Sequence, residues 1–382
     1  MSLKALPPNE RSAAIGRAAA ALAEGRVVVL PTETVYSVAF RAGSPGAGAL
    51  AAAFQAYAER SGVPSPLAWH PPSLEGAYEA LDLRAATHRR LFSRLSPGPA
   101  IFAVAMTPQR LAAAAEAIGC DPGVLDSAGA GEVAARRTAD PVAREVVGAG
   151  GGEHGDVLLA ELPAPDGRGT WAIDGAEAGA AAAKWLDGEP PALVLDAGRA
   201  KPGRAATILH LGSGGAWEVR RPGAYEERFV RKQLHRSILF VCTGNTCRSP
   251  MAEAIANDLI RRNADSMPPT TVMSAGTGAF TGTPPAVEAV TALRGLGIEP
   301  DLRGARALTR QMIAEADVIF AMSRSHVQAV VAFDPTAADK VKLLDPEGRD
   351  IPDPIGGPQG VYTETASRIA ELVAARLREL DS

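Results

Sequence analysis

Cysteine is scarce: the 382-residue chain has three, Cys120, Cys242 and Cys247. Three thiols cannot build a disulfide framework, so a reducing, cytoplasmic setting is expected. No stretch approaches the ~20 apolar residues of a membrane helix. The N-terminus, Met1-Ser2-Leu3-Lys4-Ala5-Leu6-Pro7-Pro8, lacks the apolar core of a secretory signal. A membrane is therefore not an expected partner. The net charge of −4 gives no general basic footprint for nucleic acid. The histidines (His70, His88, His154, His210, His235 and His326) form no ligand-spaced cluster, so neither a metal nor a cofactor is expected. Aromatics are few, at 5%, and the excess of alanine and glycine reads as compositional bias without functional content. What remains is ordinary for a globular protein, with 46% hydrophobic and 21% charged residues, and long enough for two cores.

Against that background one run carries chemistry: Val241-Cys242-Thr243-Gly244-Asn245-Thr246-Cys247-Arg248-Ser249-Pro250. Ser237-Ile238-Leu239-Phe240-Val241 before it reads as a buried parallel strand. Ala252, Ile255, Ala256, Leu259 and Ile260 after it recur at helical spacing. Ser249 suits the N-cap of that helix and Pro250 its first position. The loop then lies at a helix N-terminus, where free backbone N–H groups face an anion. The same positive end favours a thiolate at Cys242. Arg248 adds a planar fork of donors matched to phosphate oxygens. A nucleophile inside an anion cradle suits phosphoryl transfer to cysteine.

The run resembles the Cys-x5-Arg-Ser/Thr loop of the low-molecular-weight protein tyrosine phosphatase family, and the likeness extends over roughly Arg236 to Leu380. Thr271–Thr277 resembles that family's second strand and turn, Ala316–Met322 a central strand, and Ile351-Pro352-Asp353-Pro354 the loop of its general acid. The resemblance implies Cys242 as nucleophile and Arg248 as phosphate clamp. It places Thr243, Gly244, Asn245, Thr246, Cys247, Arg248 and Ser249 around the phosphate. Asn245 and Ser274 would brace the loop, and Asp353 would be the general acid, with Asp345 as its competitor. Cys247 either packs or pairs reversibly with Cys242. Phe280 and Tyr362 either wall the substrate mouth or sit in the core. No metal is needed, because the loop supplies the positive field. The implied partner is a phosphorylated protein. Phosphotyrosine ranks first as substrate, with phosphoarginine close behind because Thr246 matches the similar bacterial protein-arginine phosphatases, where many tyrosine phosphatases have isoleucine. Arsenate reductases share the loop but need further cysteines downstream, and none follows Cys247.

The fold expected overall is α/β, with domains at residues 1–230 and 236–382 and a basic connection near Glu226–Ser237, either a short helix or a linker. In the second domain, strands at 238–241, 271–274, 317–322 and 341–344 alternate with helices from Pro250, around 286–296 and 325–332, and from about Thr363. That alternation predicts a Rossmann-like parallel sheet covered on both faces.

The first domain offers a helix at Ala13–Ala23, a strand at Arg26–Leu30, then Pro31-Thr32-Glu33-Thr34-Val35-Tyr36. Ala100–Met106, Leu193–Asp196, Ala206–Leu211 and Trp217–Ala224 follow. In content and order these pieces resemble the YrdC-like threonylcarbamoyl-adenylate synthase family, which implies a twisted α/β sheet around a positively charged cavity. Its functional residues are displaced here. By register the family's Lys-x-Arg falls on Glu59 and Ser61 in the run Glu59-Arg60-Ser61-Gly62-Val63-Pro64-Ser65. Leu158–Pro165 lacks its Ser-x-Asn, and Ser37 replaces a glycine. Losing that cationic clamp weakens ATP binding, so a degenerate module is favoured over an active synthase. Thr32, Thr34, Tyr36 and Arg136 are its pocket remnants, and a nucleotide or an RNA are the partners left open to it.

Overall fold

The computed structural model describes residues 3, 6–62, 65–126, 128–152, 155–166, 169–200, 204–263, 267–301 and 303–381. Met1, Ser2, Lys4, Ala5, Val63, Pro64 and His154, named above, lie outside the described residues. The chain divides into two compact units, Met1–Gln233 and Leu234–Ser382.

The N-terminal unit is built on nine strands: β1 (Val28–Leu30), β2 (Ser37–Arg41), β3 (Ala68–Trp69), β4 (Ala100–Ala105), β5 (Glu132–Ala135), β6 (Val157–Glu161), β7 (Leu193–Val194), β8 (Thr207–Leu211) and β9 (Trp217–Arg221). They form one mixed sheet in the order β7-β1-β2-β6-β3-β5-β4-β8-β9. β1 and β2 are antiparallel with Leu30 opposite Ser37, and β2 is antiparallel to β6 with Ser37 opposite Glu161. Small side chains make one core: Ala14, Ala18, Ala21 and Leu22 of the Pro8–Ala23 helix meet Val142, Ala143 and Val146 of the Pro141–Gly150 helix over Val28, Ala39 and Leu159. Elsewhere Phe54 meets Trp185 edge-on at 5.4 Å, with Phe40 at 6.1 Å from the same indole. The basic connection is a helix, Glu227–Leu234.

The C-terminal unit carries four parallel strands, β10 (Arg236–Cys242), β11 (Thr270–Gly276), β12 (Val318–Ala321) and β13 (Val341–Leu343), in the order β11-β10-β12-β13. Alternation along β10 feeds two cores, because successive side chains leave opposite faces of a sheet. Ile238, Phe240 and Cys242 join Met251 and Ile255 of the Arg248–Arg262 helix and Ile369 and Val373 of the Gln359–Asp381 helix. Leu239 and Val241 join Ile313 and Val330 on the other side. Both faces are thus covered, as the near-continuous apolar strand predicts.

Two local expectations are corrected, and one further helix is present. The helix after the loop starts at Arg248 with Cys247 at its N-cap, so Ser249 and Pro250 lie inside its first turn. The last helix begins at Gln359 rather than near Thr363. A six-residue helix, Arg310–Glu315, was not anticipated. Thr309 caps it by accepting from the Met312 amide.

Candidate active site

Cys242 ends β10 directly opposite Gly276, the last residue of β11, so the loop that follows emerges at the C-terminal edge of the sheet. Its carbonyls are held from outside. The N–H groups of Thr277, Gly278 and Ala286 donate to the carbonyl oxygens of Cys242, Thr243 and Thr246 at 2.9, 3.0 and 3.0 Å. Of the loop amides, the Asn245 N–H is turned to the thiol and donates to Cys242 Sγ at 3.3 Å. Cys242 is only 3% exposed, and its sulfur lies 2.9 Å from Ser249 Oγ.

Asn245 holds the turn in the left-handed region, with φ of 54°, which a non-glycine residue adopts only when its surroundings fix it. Its amide nitrogen donates to Ser249 Oγ (2.9 Å) and Ser274 Oγ (2.8 Å), and its Oδ1 accepts from the Arg306 N–H (2.7 Å). Ser274 in turn donates to Glu253 Oε2 at 2.5 Å, an oxygen that also accepts from Arg306 Nη2 at 2.5 Å. Gly276 allows the close approach: a Cβ there would stand 2.4 Å from the Thr243 carbonyl oxygen and 3.0 Å from the Asn245 nitrogen.

Arg248 is buried. Nη1 donates to the Ile351 carbonyl at 2.9 Å, Nη2 pairs with Asp353 Oδ2, and Nε is buried without a hydrogen-bond partner. Asp353 keeps a side chain 38% exposed and accepts the Ile355 N–H on its other oxygen. Asp345 is placed otherwise: buried, it accepts from Arg349 and Arg368 at 2.9 Å and from the Glu347 N–H at 2.8 Å.

Cys247 is a free thiol packed 3.6 Å from the hydroxyl of Tyr362, which is itself buried, so Tyr362 belongs to the core. Thr246 Oγ1 also lies 3.6 Å from that sulfur. Phe280 is 83% exposed. Thr243 Oγ1 lies 2.8 Å from His326 Nε2.

Residues 237–382 match the family model described as low molecular weight phosphotyrosine protein phosphatase. Over 140 residues the chain is 36% identical to the protein-arginine-phosphatase of Geobacillus stearothermophilus, covering 36% of this chain and 90% of that protein. The chain belongs to this phosphatase family. It is also 35% identical over 149 residues to the probable low molecular weight protein-tyrosine-phosphatase EpsP of Ralstonia nicotianae, 38% of this chain and 98% of that protein. A solved structure of a YwlE mutant from Bacillus subtilis is 32% identical with a TM-score of 0.37, covering 38% of this chain and 99% of that one.

The phosphatase unit is thus a cysteine-based hydrolase. Its fold brings Cys242, the 243–249 loop, Ser274, Arg248 and Asp353 together, and leaves Asp345 apart in an ion-pair cluster. Glu253, Arg306 and His326 were not foreseen around the loop. Arg306 and His326 reach it from other elements, whereas Glu253 stands four residues after Ser249 on the helix the loop runs into and alone left a signal in the spacing. Among the described residues no group of His, Cys, Asp and Glu converges to hold a metal ion, and no helix is long and apolar enough to cross a membrane.

Proposed function

We propose that Cys242, Arg248 and Asp353 are nucleophile, phosphate clamp and general acid of a protein phosphatase acting on phosphotyrosine. The observation that carries this reading is the convergence of Cys242 Sγ, Ser249 Oγ and the Asn245 amide in one loop, with Asp353 on the Arg248 guanidinium. A phosphoryl dianion entering the cradle takes the loop amides and the unpartnered Arg248 Nε, and displaces Asp353 from Nη2 toward the leaving oxygen. The thiolate attacks phosphorus, forming the S–P bond as the P–O bond breaks, and the Asp353 proton goes to the phenol oxygen. Water then attacks phosphocysteine, giving its proton to the Asp353 carboxylate. The S–P bond breaks, and the Ser249 hydroxyl donates to the departing thiolate at Cys242.

Phe280 supports an aromatic substrate: its exposed ring stands three residues beyond Thr277, whose amide holds the Cys242 carbonyl. A second reading, phosphoarginine, is favoured by Thr246 and by the Geobacillus relative's name. Side-by-side hydrolysis of a phosphotyrosine and a phosphoarginine peptide separates them. Turnover of one, abolished in Cys242→Ser, names the substrate class, and turnover of neither by folded protein removes the catalytic reading.

The N-terminal unit is read as a degenerate YrdC-like module. Support comes from the charges where Thr34 and Arg136 meet. Arg136 lies 3.0 Å from Glu33 and 3.2 Å from Glu161, and Arg221 lies 2.5 Å from Glu161. Glu161 also accepts from Thr34 Oγ1 at 2.9 Å and from the Ala206 N–H at 2.7 Å. Among the described residues, these two cations are neutralised by two carboxylates of the same chain, which weakens the positive field offered to ATP phosphates. Tyr36 is engaged separately, 3.0 Å from Asp196 and 2.8 Å from the Gly198 carbonyl. Glu59 is exposed near the C-terminus of the Ala47–Ser61 helix. The full chain is expected to release no pyrophosphate with ATP, threonine and bicarbonate. Release would instead establish an active synthase, and nucleotide or RNA binding that survives Cys242→Ser would establish a binding role.

A further inference from the structure

Thr243 follows the nucleophile directly and is the first residue of the phosphate loop. Its hydroxyl does not face open solvent alone: Oγ1 is 2.8 Å from His326 Nε2. The other ring nitrogen, Nδ1, is 2.7 Å from Ser323 Oγ, which lies 2.8 Å from Ser325 Oγ. Ser323 also caps the Arg324–Phe333 helix, so the imidazole is anchored to a rigid element at one end and to the loop at the other. The backbone ties the same two segments, since the Met322 N–H donates to the Val241 carbonyl at 3.0 Å. His326 is buried. Burial lowers its pKa and the Arg248 guanidinium lowers it further, with Asp353 and Asp350 opposing. A neutral ring has one N–H and one lone pair, which matches two hydroxyl partners.

We propose that His326 is a positioning residue of the phosphatase site, acting through the Thr243 hydroxyl to hold the start of the loop with its amides on the phosphoryl oxygens. The histidine touches no reacting atom itself. Its effect runs through a single hydrogen bond 83 residues away in sequence. The proposal rests on the Cys242-centred reading above.

The test is a double-mutant cycle in the full chain, with kcat and KM for an aryl phosphate and the inhibition constant of inorganic phosphate measured for each protein. His326→Ala and Thr243→Val are each expected to lower kcat/KM about tenfold and to weaken phosphate binding, and the double variant to be no worse than the poorer single one. His326→Gln places an amide group near the position of Nε2 and is expected to restore part of the loss. Two results overturn the role: unchanged kcat/KM in folded His326→Ala, or losses that multiply in the double variant. If His326→Ala does not fold, Thr243→Val decides, because it keeps the ring and must show the loss alone. A wild-type protein without turnover, or an active Cys242→Ser, removes the active-site reading itself, which is a different failure from an active wild type indifferent to His326.

Discussion

Among the aspartates that stand before prolines in the phosphatase unit, the fold uses Asp345 and Asp353 differently. Asp345 spends its lone pairs on Arg349, Arg368 and a backbone amide, whereas Asp353 is partly exposed and faces Arg248. Asp353→Asn is expected to lower kcat about 10²–10⁴-fold on a phosphotyrosine peptide, and less on p-nitrophenyl phosphate, whose leaving group needs little protonation. Asp345→Asn is expected to lower the melting temperature and leave kcat in place. Steady-state kinetics and a thermal melt on each variant check both. At this scale the sequence is informative where the site is local: Cys242 to Ser249 lie within eight consecutive positions, so their chemistry can be read from the run itself. It is silent where partners are distant. His326 and Arg306 meet the loop only because β12 and the 303–306 segment are folded against β10 and β11, and nothing in their own neighbourhoods announces it.

Between elements, the tightest constraint is the passage of β11 behind the loop. Gly276→Ala would drive a methyl into the Thr243 carbonyl and the Asn245 nitrogen, and backbone cannot yield as a flexible side chain does. A loss of about 1–3 kcal/mol is expected from such overpacking, with kcat/KM falling because the displaced atoms belong to the loop. Urea unfolding and kinetics on the same sample read the two effects. The strand–helix alternation of this unit was legible because its two central strands, β10 and β12, are apolar on both faces. The start of the Arg248–Arg262 helix was not, since the Ser249 hydroxyl that looked like a cap is engaged with Cys242 and Asn245. In the N-terminal unit, β3, β5 and β6 bring His70, Arg136 and Glu161 into one buried region. Burial lowers the His70 pKa from 6.5 to about 3, and Arg136 adds to it. Burial alone would raise that of Glu33, but Arg136 and Thr138 outweigh it and hold it at about 2, from 4.5. Both folded values lie below the unfolded ones, so the unfolded chain binds more protons in acid. The stability concerned is present above pH 6.5, falls from there toward 3 through His70, and falls again from 4.5 toward 2 through Glu33. Melting temperature measured between neutral and acid pH is expected to drop in that order, with Glu33→Gln flattening the lower limb.

At the scale of the molecule, the family match begins at Ser237, so what is shown of the chemistry belongs to the second unit and the first stands on its own evidence. The nine-strand order of the first unit was beyond sequence patterning: β3 and β7 are two residues long, and sheet neighbours such as β2 and β6 are far apart in the chain. The indole that Phe54 and Phe40 surround has a practical consequence. Trp69, Trp171, Trp185 and Trp217 are all the tryptophans of this protein, and every one lies in the first unit. Tryptophan emission therefore reports the unfolding of that unit alone, while hydrolysis of a chromogenic phosphate reports the other. The chain carries two optical channels that need no label, one for each half, and recording both through the same temperature or acid ramp shows directly whether the halves melt as one.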